Sequence, residues 1–262
     1  MYETAKTEVS KRVLLEISLA LNNYKDDFVL AGGWTPYFLT RENFDHCGSM
    51  DIDLVLRPKI MSRYENIRKI VEGLDFDETE NPFRFMKNLN DLNGAPFDIM
   101  LDFLTEPDAV ADMDLINVQT DLRAVLIPGC SIVFTFNQNL TLDGKLPDKS
   151  EATGEIRMAD LVGILSMKGL ALLRLKDKDS YDIYALTGFY QGDPQKAAIA
   201  YQDLIKQKGG GAPPATIKEA FGNITNGFSN ENRFGAVAVS RFVGTNLNAE
   251  ASLRVMTFLK NI

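Results

Sequence analysis

Two carboxylates one residue apart, Asp51 and Asp53, follow a glycine and a serine in the run Gly48-Ser49-Met50-Asp51-Ile52-Asp53-Leu54-Val55-Leu56. Their alternation with Ile52 and Leu54 has the period of a half-buried strand, which sends both acids off the same face. Ionised carboxylates so placed repel unless a cation lies between them, and hard oxygen donors of this kind suit Mg²⁺ or Mn²⁺. A lone Asp-x-Asp on a solvated strand edge needs no such ion, so the residues upstream decide between the two readings.

Upstream stands Phe28-Val29-Leu30-Ala31-Gly32-Gly33-Trp34-Thr35, an apolar run that stops at two glycines and resumes as a helical stretch. Strand, tight turn and helix in that order bring backbone N–H groups to the positive end of a helix, where Gly32 and Gly33 let a phosphate come close. Ser49 adds a hydroxyl and an N–H two residues before Asp51. Gly-Gly followed by Gly-Ser-x-Asp-x-Asp is a far more specific combination than either part, and it suits a triphosphate.

These residues resemble the nucleotidyltransferase superfamily of DNA polymerase beta, and the Gly48 to Asp53 run resembles its AbiEii branch of abortive-infection and toxin–antitoxin enzymes. Seventeen residues separate Gly33 from Asp51, somewhat more than is usual for that signature, and the extra length lies in the Arg41–Cys47 loop. The resemblance implies an α/β (α+β) fold, a mixed sheet with flanking helices followed by a C-terminal helical bundle. It implies two divalent ions about 4 Å apart, held by Asp51, Asp53 and a third acid, that activate an acceptor hydroxyl and neutralise the leaving pyrophosphate. A nucleoside triphosphate would be the substrate, with Gly32, Gly33, Gly48 and Ser49 around its phosphates. An RNA end as acceptor and an antitoxin protein as partner belong to the same expectation.

The third acid is sought on the next strong strand pattern, Phe97-Asp98-Ile99-Met100-Leu101-Asp102-Phe103-Leu104, which an Asn93-Gly94 turn joins to a strand at Phe83–Met86. Parity puts Asp98 and Asp102 on one face. Asp102 is the first choice, because an acid followed by an apolar pair at a strand end resembles the superfamily's third ligand; Asp98 is the alternative.

The second half reads as helical. Leu161 to Leu175 is apolar nearly all round, with Lys168 in its middle. A buried ammonium needs an anionic partner or a wet cleft. A triphosphate is the partner expected here, and a lysine snorkelling to the surface is the alternative. Lys168 and Ala171, with Arg174-Leu175-Lys176-Asp177-Lys178-Asp179-Ser180-Tyr181-Asp182-Ile183, resemble the second AbiEii signature, with Lys178 where arginine is common and Ile183 where leucine is. That resemblance assigns Lys168, Asp179 and Asp182 to catalysis and nucleotide binding. The residues also allow Asp179 to be the N-cap of a helix, with Asp182 in its first turn. A small-molecule nucleotidyltransferase would share the carboxylates but would not be expected to carry this signature, and a non-catalytic module would be expected to have lost Asp51 or Asp53.

Around these motifs, apolar spacing predicts helices over 4–23, 61–73 and 194–208, and about three more towards the end. Strands are expected at Leu122–Leu126 and Ile132–Phe136, a polar connection at Asp143–Thr153 and a flexible break at Gly209–Pro214. With 262 residues, 45% of them apolar, two domains are expected: a catalytic one over 1–155 and a helical one over 156–262. The first holds 15 Lys and Arg against 27 Asp and Glu, net −12, and the second is net +4, a division that suits a polyanionic acceptor on the second half. Cys47 and Cys130 are the only cysteines and His46 the only histidine, which excludes a disulfide framework, a Cys-type zinc site and a His-rich metal cluster. No stretch is apolar and long enough to span a bilayer and no charged-then-apolar leader opens the chain, so a cytoplasmic protein without a membrane partner is expected.

Overall fold

The computed structural model describes residues 1–57, 67–81, 83–106, 115–119, 122–210 and 214–262. The chain divides into two compact units: a sheet unit of Tyr2–Trp34 and Cys47–Ala159, and a helical unit of Met1, Thr35–His46 and Asp160–Ile262.

In the sheet unit, α1 (Thr4–Ala20) buries the predicted stripe of Val9, Val13, Leu14 and Ile17. It packs on β8 (Asn137–Lys145) and β9 (Glu151–Ala159). The remaining strands are β1 (Phe28–Leu30), β2 (Ile52–Leu56), β3 (Asp77–Glu78), β4 (Arg84–Asn90), β5 (Pro96–Thr105), β6 (Leu115–Gln119) and β7 (Leu122–Leu126), with the short helix α3 (Ile67–Glu72) between β2 and β3. The sheet is mixed. Its main path runs β3-β4-β5-β2-β1-β9-β8, and β7 pairs with both β5 and β6.

Strand β1 is buried along its whole length, antiparallel to β2 on one side and parallel to β9 on the other, as an unbroken apolar triplet requires. The ten residues of β5 carry three neighbours: β4 antiparallel, β2 parallel, and β7 parallel where β4 has ended. Phe97, Ile99, Leu101 and Phe103 fill one face of β5, each contributing roughly 1.5–3 kcal/mol by leaving water. Asp98, Met100 and Asp102 take the alternate positions.

The helical unit holds most of α2 (Trp34–Thr40), then α4 (Leu161–Ala171), α5 (Asp177–Phe189), α6 (Pro194–Lys208), α7 (Ala215–Phe228), α8 (Phe234–Val243) and α9 (Asn248–Lys260). Helices α5, α8 and α9 pack on one another, α4 on α7, and α6 on α9. Asp160 caps α4 by accepting from Val162 N at 3.0 Å and Gly163 N at 3.1 Å, a contribution of about 1 kcal/mol. Asp193 caps α6 the same way, with Pro194 at its first position. No helix among the described residues is long and apolar enough to cross a membrane.

Three local expectations need correction. Ile132–Phe136 is not a strand: Cys130–Phe134 forms a 3-10 helix, and Glu106 ties its start by accepting from Gly129 N and Ser131 N, each at 2.8 Å. The polar stretch Asp143–Thr153 is not a plain connection but the far end of the β8–β9 hairpin. Asp179 is not an N-cap; α5 opens at Asp177 after Lys176, which puts Asp179 at the third helical position. The predicted helix over 61–73 is seen from Ile67, its first six residues lying outside the described ones, as do residues 211–213 of the expected break.

Candidate functional site

The motif residues of the sheet unit are placed by the end of β1, the start of β2 and the interior of β5. Ala31 N donates to Asp53 O at 2.9 Å, fixing the turn after β1 against the start of β2. Gly32 has φ +63, and a Cβ there would lie 1.8 Å from Asp53 Oδ2. Asp53 therefore rests on the Gly32 backbone, a close approach that only glycine permits. Gly48 has φ +71 and would bring a Cβ to 3.4 Å from the Trp34 ring, and the adjacent Ser49 is buried. Asp51 falls in the bend just before β2, whereas Asp53 is its second residue.

Asp53 and Asp102 are register partners on the parallel strands β2 and β5. Such pairs lie about 4.8 Å apart with their side chains on one face. Asp98 is displaced from this point by four residues, about 13 Å along β5. It stands opposite Asn88, whose Nδ2 donates to its carboxylate at 2.8 Å.

Sequence reasoning did not single out Arg84. In the β4–β5 ladder it is the partner of Asp102, and it donates from Nε to Oδ1 at 2.7 Å and from Nη2 to Oδ2 at 2.6 Å. The hydrogen bonds to Asp102 hold the guanidinium pKa above its ordinary value despite partial burial, and the charges of Asp102, Asp51 and Asp53 add to the effect. Both oxygens of the third acid are thus engaged by a cation from the chain itself. Among the described residues no three or more His, Cys, Asp or Glu side chains are grouped so as to hold a metal ion. As arranged, the Asp51, Asp53 and Asp102 set does not fit the two-ion site that the motif led us to expect.

The second signature builds a separate buried network within the helical unit. Lys168 Nζ lies 2.7 Å from Asp179 Oδ1 and 2.8 Å from Asp182 Oδ2. Arg174 also reaches Asp179, at 3.3 Å, and Lys178 pairs with Asp182 from one turn away. The anion that the buried ammonium calls for is supplied by α5. Burial opposes ionisation of Lys168, but Asp182 and Asp179 outweigh it and hold its pKa above the usual lysine value. For Asp182 burial again opposes charge, while Lys168, Lys178 and a hydrogen bond from His46 keep the carboxyl well below the usual range.

His46 is buried, with Nε2 at 3.0 Å from Asp182 Oδ1. An ionised carboxylate only accepts, so Nε2 carries the proton and donates. Burial first, then Lys178, push the histidine pKa down to about 4 against the pull of Asp182, so the imidazole is neutral at pH 7. The aromatic residues Tyr181 and Phe44 flank it, and Phe44 stacks on Phe189 at 4.3 Å. The sequence reading used His46 only to exclude a metal cluster.

No protein-family model matches this sequence, and neither does any curated protein. Among solved structures the chain is similar to an antigenic nucleotidyltransferase-like protein from Paracoccidioides brasiliensis, with 12% identity and a TM-score of 0.41 over 95% of this chain and 94% of that one.

Proposed function

We propose that the chain is a nucleotidyltransferase that takes a nucleoside triphosphate as its magnesium complex and passes the nucleoside monophosphate to an acceptor hydroxyl. One juxtaposition carries the reading: Asp53 rests on the Gly32 turn and is level with Asp102 on the neighbouring strand. Two acids level with each other beside a glycine turn contribute nothing to an apolar core, and Arg84 is held against one of them as a charged group. In the reaction the acceptor oxygen bonds to the α-phosphorus, the bond from that phosphorus to the bridging oxygen breaks, and pyrophosphate leaves. Gly32, Gly33, Gly48 and Ser49 are the proposed neighbours of the phosphates. Asp51, Asp53 and Asp102 are the proposed acidic groups at the reacting end.

For the acceptor we favour an RNA end, on the charge of residues 156–262, net +4 against −12 for 1–155. A toxin paired with an antitoxin protein is the biological setting that the sequence motifs favour. Incubation with each labelled nucleoside triphosphate, Mg²⁺ and total RNA or lysate tests the reading, the expected outcome being label on RNA. RNA binding should also weaken steeply with salt as counterions are released. Label on protein alone would replace the RNA acceptor by protein nucleotidylation, and label on a small molecule by an antibiotic-type activity. The two-point grip of Arg84 on Asp102 favours a second reading, a non-catalytic nucleotide-binding module, which would bind triphosphate and label nothing.

A further inference from the structure

We infer that Arg84 is the resident cation of the acidic strand pair: it occupies both oxygens of Asp102, so that a divalent ion can use this carboxylate only after the guanidinium has left it. The inference rests on the nucleotidyl-transfer reading for the idea that a metal ever needs Asp102, but its geometry stands alone. The guanidinium fork matches a carboxylate at two points, each nitrogen within 2.7 Å of its own oxygen. Asp102 is only 6% exposed, so water competes weakly for those oxygens. Strand register delivers both partners to Asp102, Asp53 from β2 and Arg84 from β4, without any loop to rearrange. An acid placed beside a second acid needs a cation, and here β4 provides one as part of the fold.

Two alternatives are set apart by this geometry. A purely structural ion pair would serve equally well away from other acids, whereas this one faces Asp53 across the next strand. A ready-made metal site would leave the third carboxylate open.

The test is a titration of the full chain with Mn²⁺ in the absence of nucleotide, followed by the paramagnetic resonance of the free ion. Wild type should bind weakly. Arg84→Met should bind about tenfold tighter or more, because Asp102 then lacks a counter-ion. The gain should vanish in Arg84→Met/Asp102→Asn. Equal or weaker binding by Arg84→Met would overturn the inference, as would a gain that survives Asp102→Asn. Should Arg84→Met lose its circular-dichroism signature of folding, Arg84→Lys takes its place: it keeps one charge but not the fork, so affinity between wild type and tenfold supports the inference and wild-type affinity overturns it. Labelled transfer by wild type is measured in parallel. Transfer without the Mn²⁺ gain removes the inference and leaves the proposed function; the gain without transfer does the reverse.

Discussion

Asp53 Oδ2 occupies the space that a side chain on Gly32 would need. Gly32→Ala should therefore push the carboxylate off its seat while straining a residue at φ +63, at a cost of about 1–3 kcal/mol. Chemical denaturation reads the stability, and labelled transfer should fall with it. A variant with unchanged stability and transfer would show that the close approach is dispensable.

Asp51→Asn separates charge from fold. Removing its charge ends repulsion from Asp53 and attraction to Arg84 together, so stability should change by less than about 1 kcal/mol. Nucleotidyl transfer should drop about a hundredfold or more, the scale of a lost carboxylate base that takes the acceptor's proton. Full activity at unchanged stability would remove Asp51 from the reacting end.

Lys168→Met should destabilise. The side chains of Asp179 and Asp182 are 6% and 0% exposed, and the variant leaves them only Arg174, Lys178 and His46. Breaking a buried pair by removing one partner costs about 3–5 kcal/mol, measurable by urea unfolding. Calorimetric titration with triphosphate reads nucleotide binding separately, so a stable variant with weakened binding would turn Lys168 from a structural counter-ion into a nucleotide ligand.

His46 gives stability a defined pH dependence. The unfolded chain takes up its proton near pH 6.5 and the folded chain only near 4, so the unfolded state binds more protons across that interval. Stability from this group is fully present above pH 6.5 and is lost as pH falls towards 4, by about 3 kcal/mol in total. Asp182 acts in the same direction further down, below the ordinary carboxylate range of about 4. His46→Gln keeps a donor for Asp182 but cannot titrate. Its stability should be flatter than wild type between pH 6.5 and 4; parallel profiles would count against the histidine.

The parts of the fold legible in the sequence are those with a strong period. The α1 stripe and the alternation in β5 each have one dominant buried face, the apolar triplet of β1 is buried on both, and burial enforces all three. The β8–β9 hairpin was hidden because Asn137–Lys145 is mostly exposed and offers no alternation to read. Ile132–Phe136 differs for another reason: a short apolar run, interrupted only by Thr135, suits a partly buried 3-10 turn as well as a strand. Arg84 was missed although the information was present. From the Asn90–Pro96 pair, six residues outward along each strand lead to Arg84 and Asp102, so the hairpin register alone joins them. The role of His46 had no such local signal, since its partner Asp182 lies 136 residues away.

The same separation bears on inheritance. Thr35–His46 groups with the helices from Asp160 onwards, although its chain neighbours Trp34 and Cys47 belong to the sheet unit. A recombination joint anywhere between Cys47 and Ala159 would bring in Asp182 and Phe189 from one parent while His46 and Phe44 came from the other. A mismatched parent would leave a buried carboxylate without its imidazole donor and an aromatic stack without one ring. The two segments must therefore drift as a linked pair, and a substitution at His46 in a descendant should be accompanied by one around Asp182.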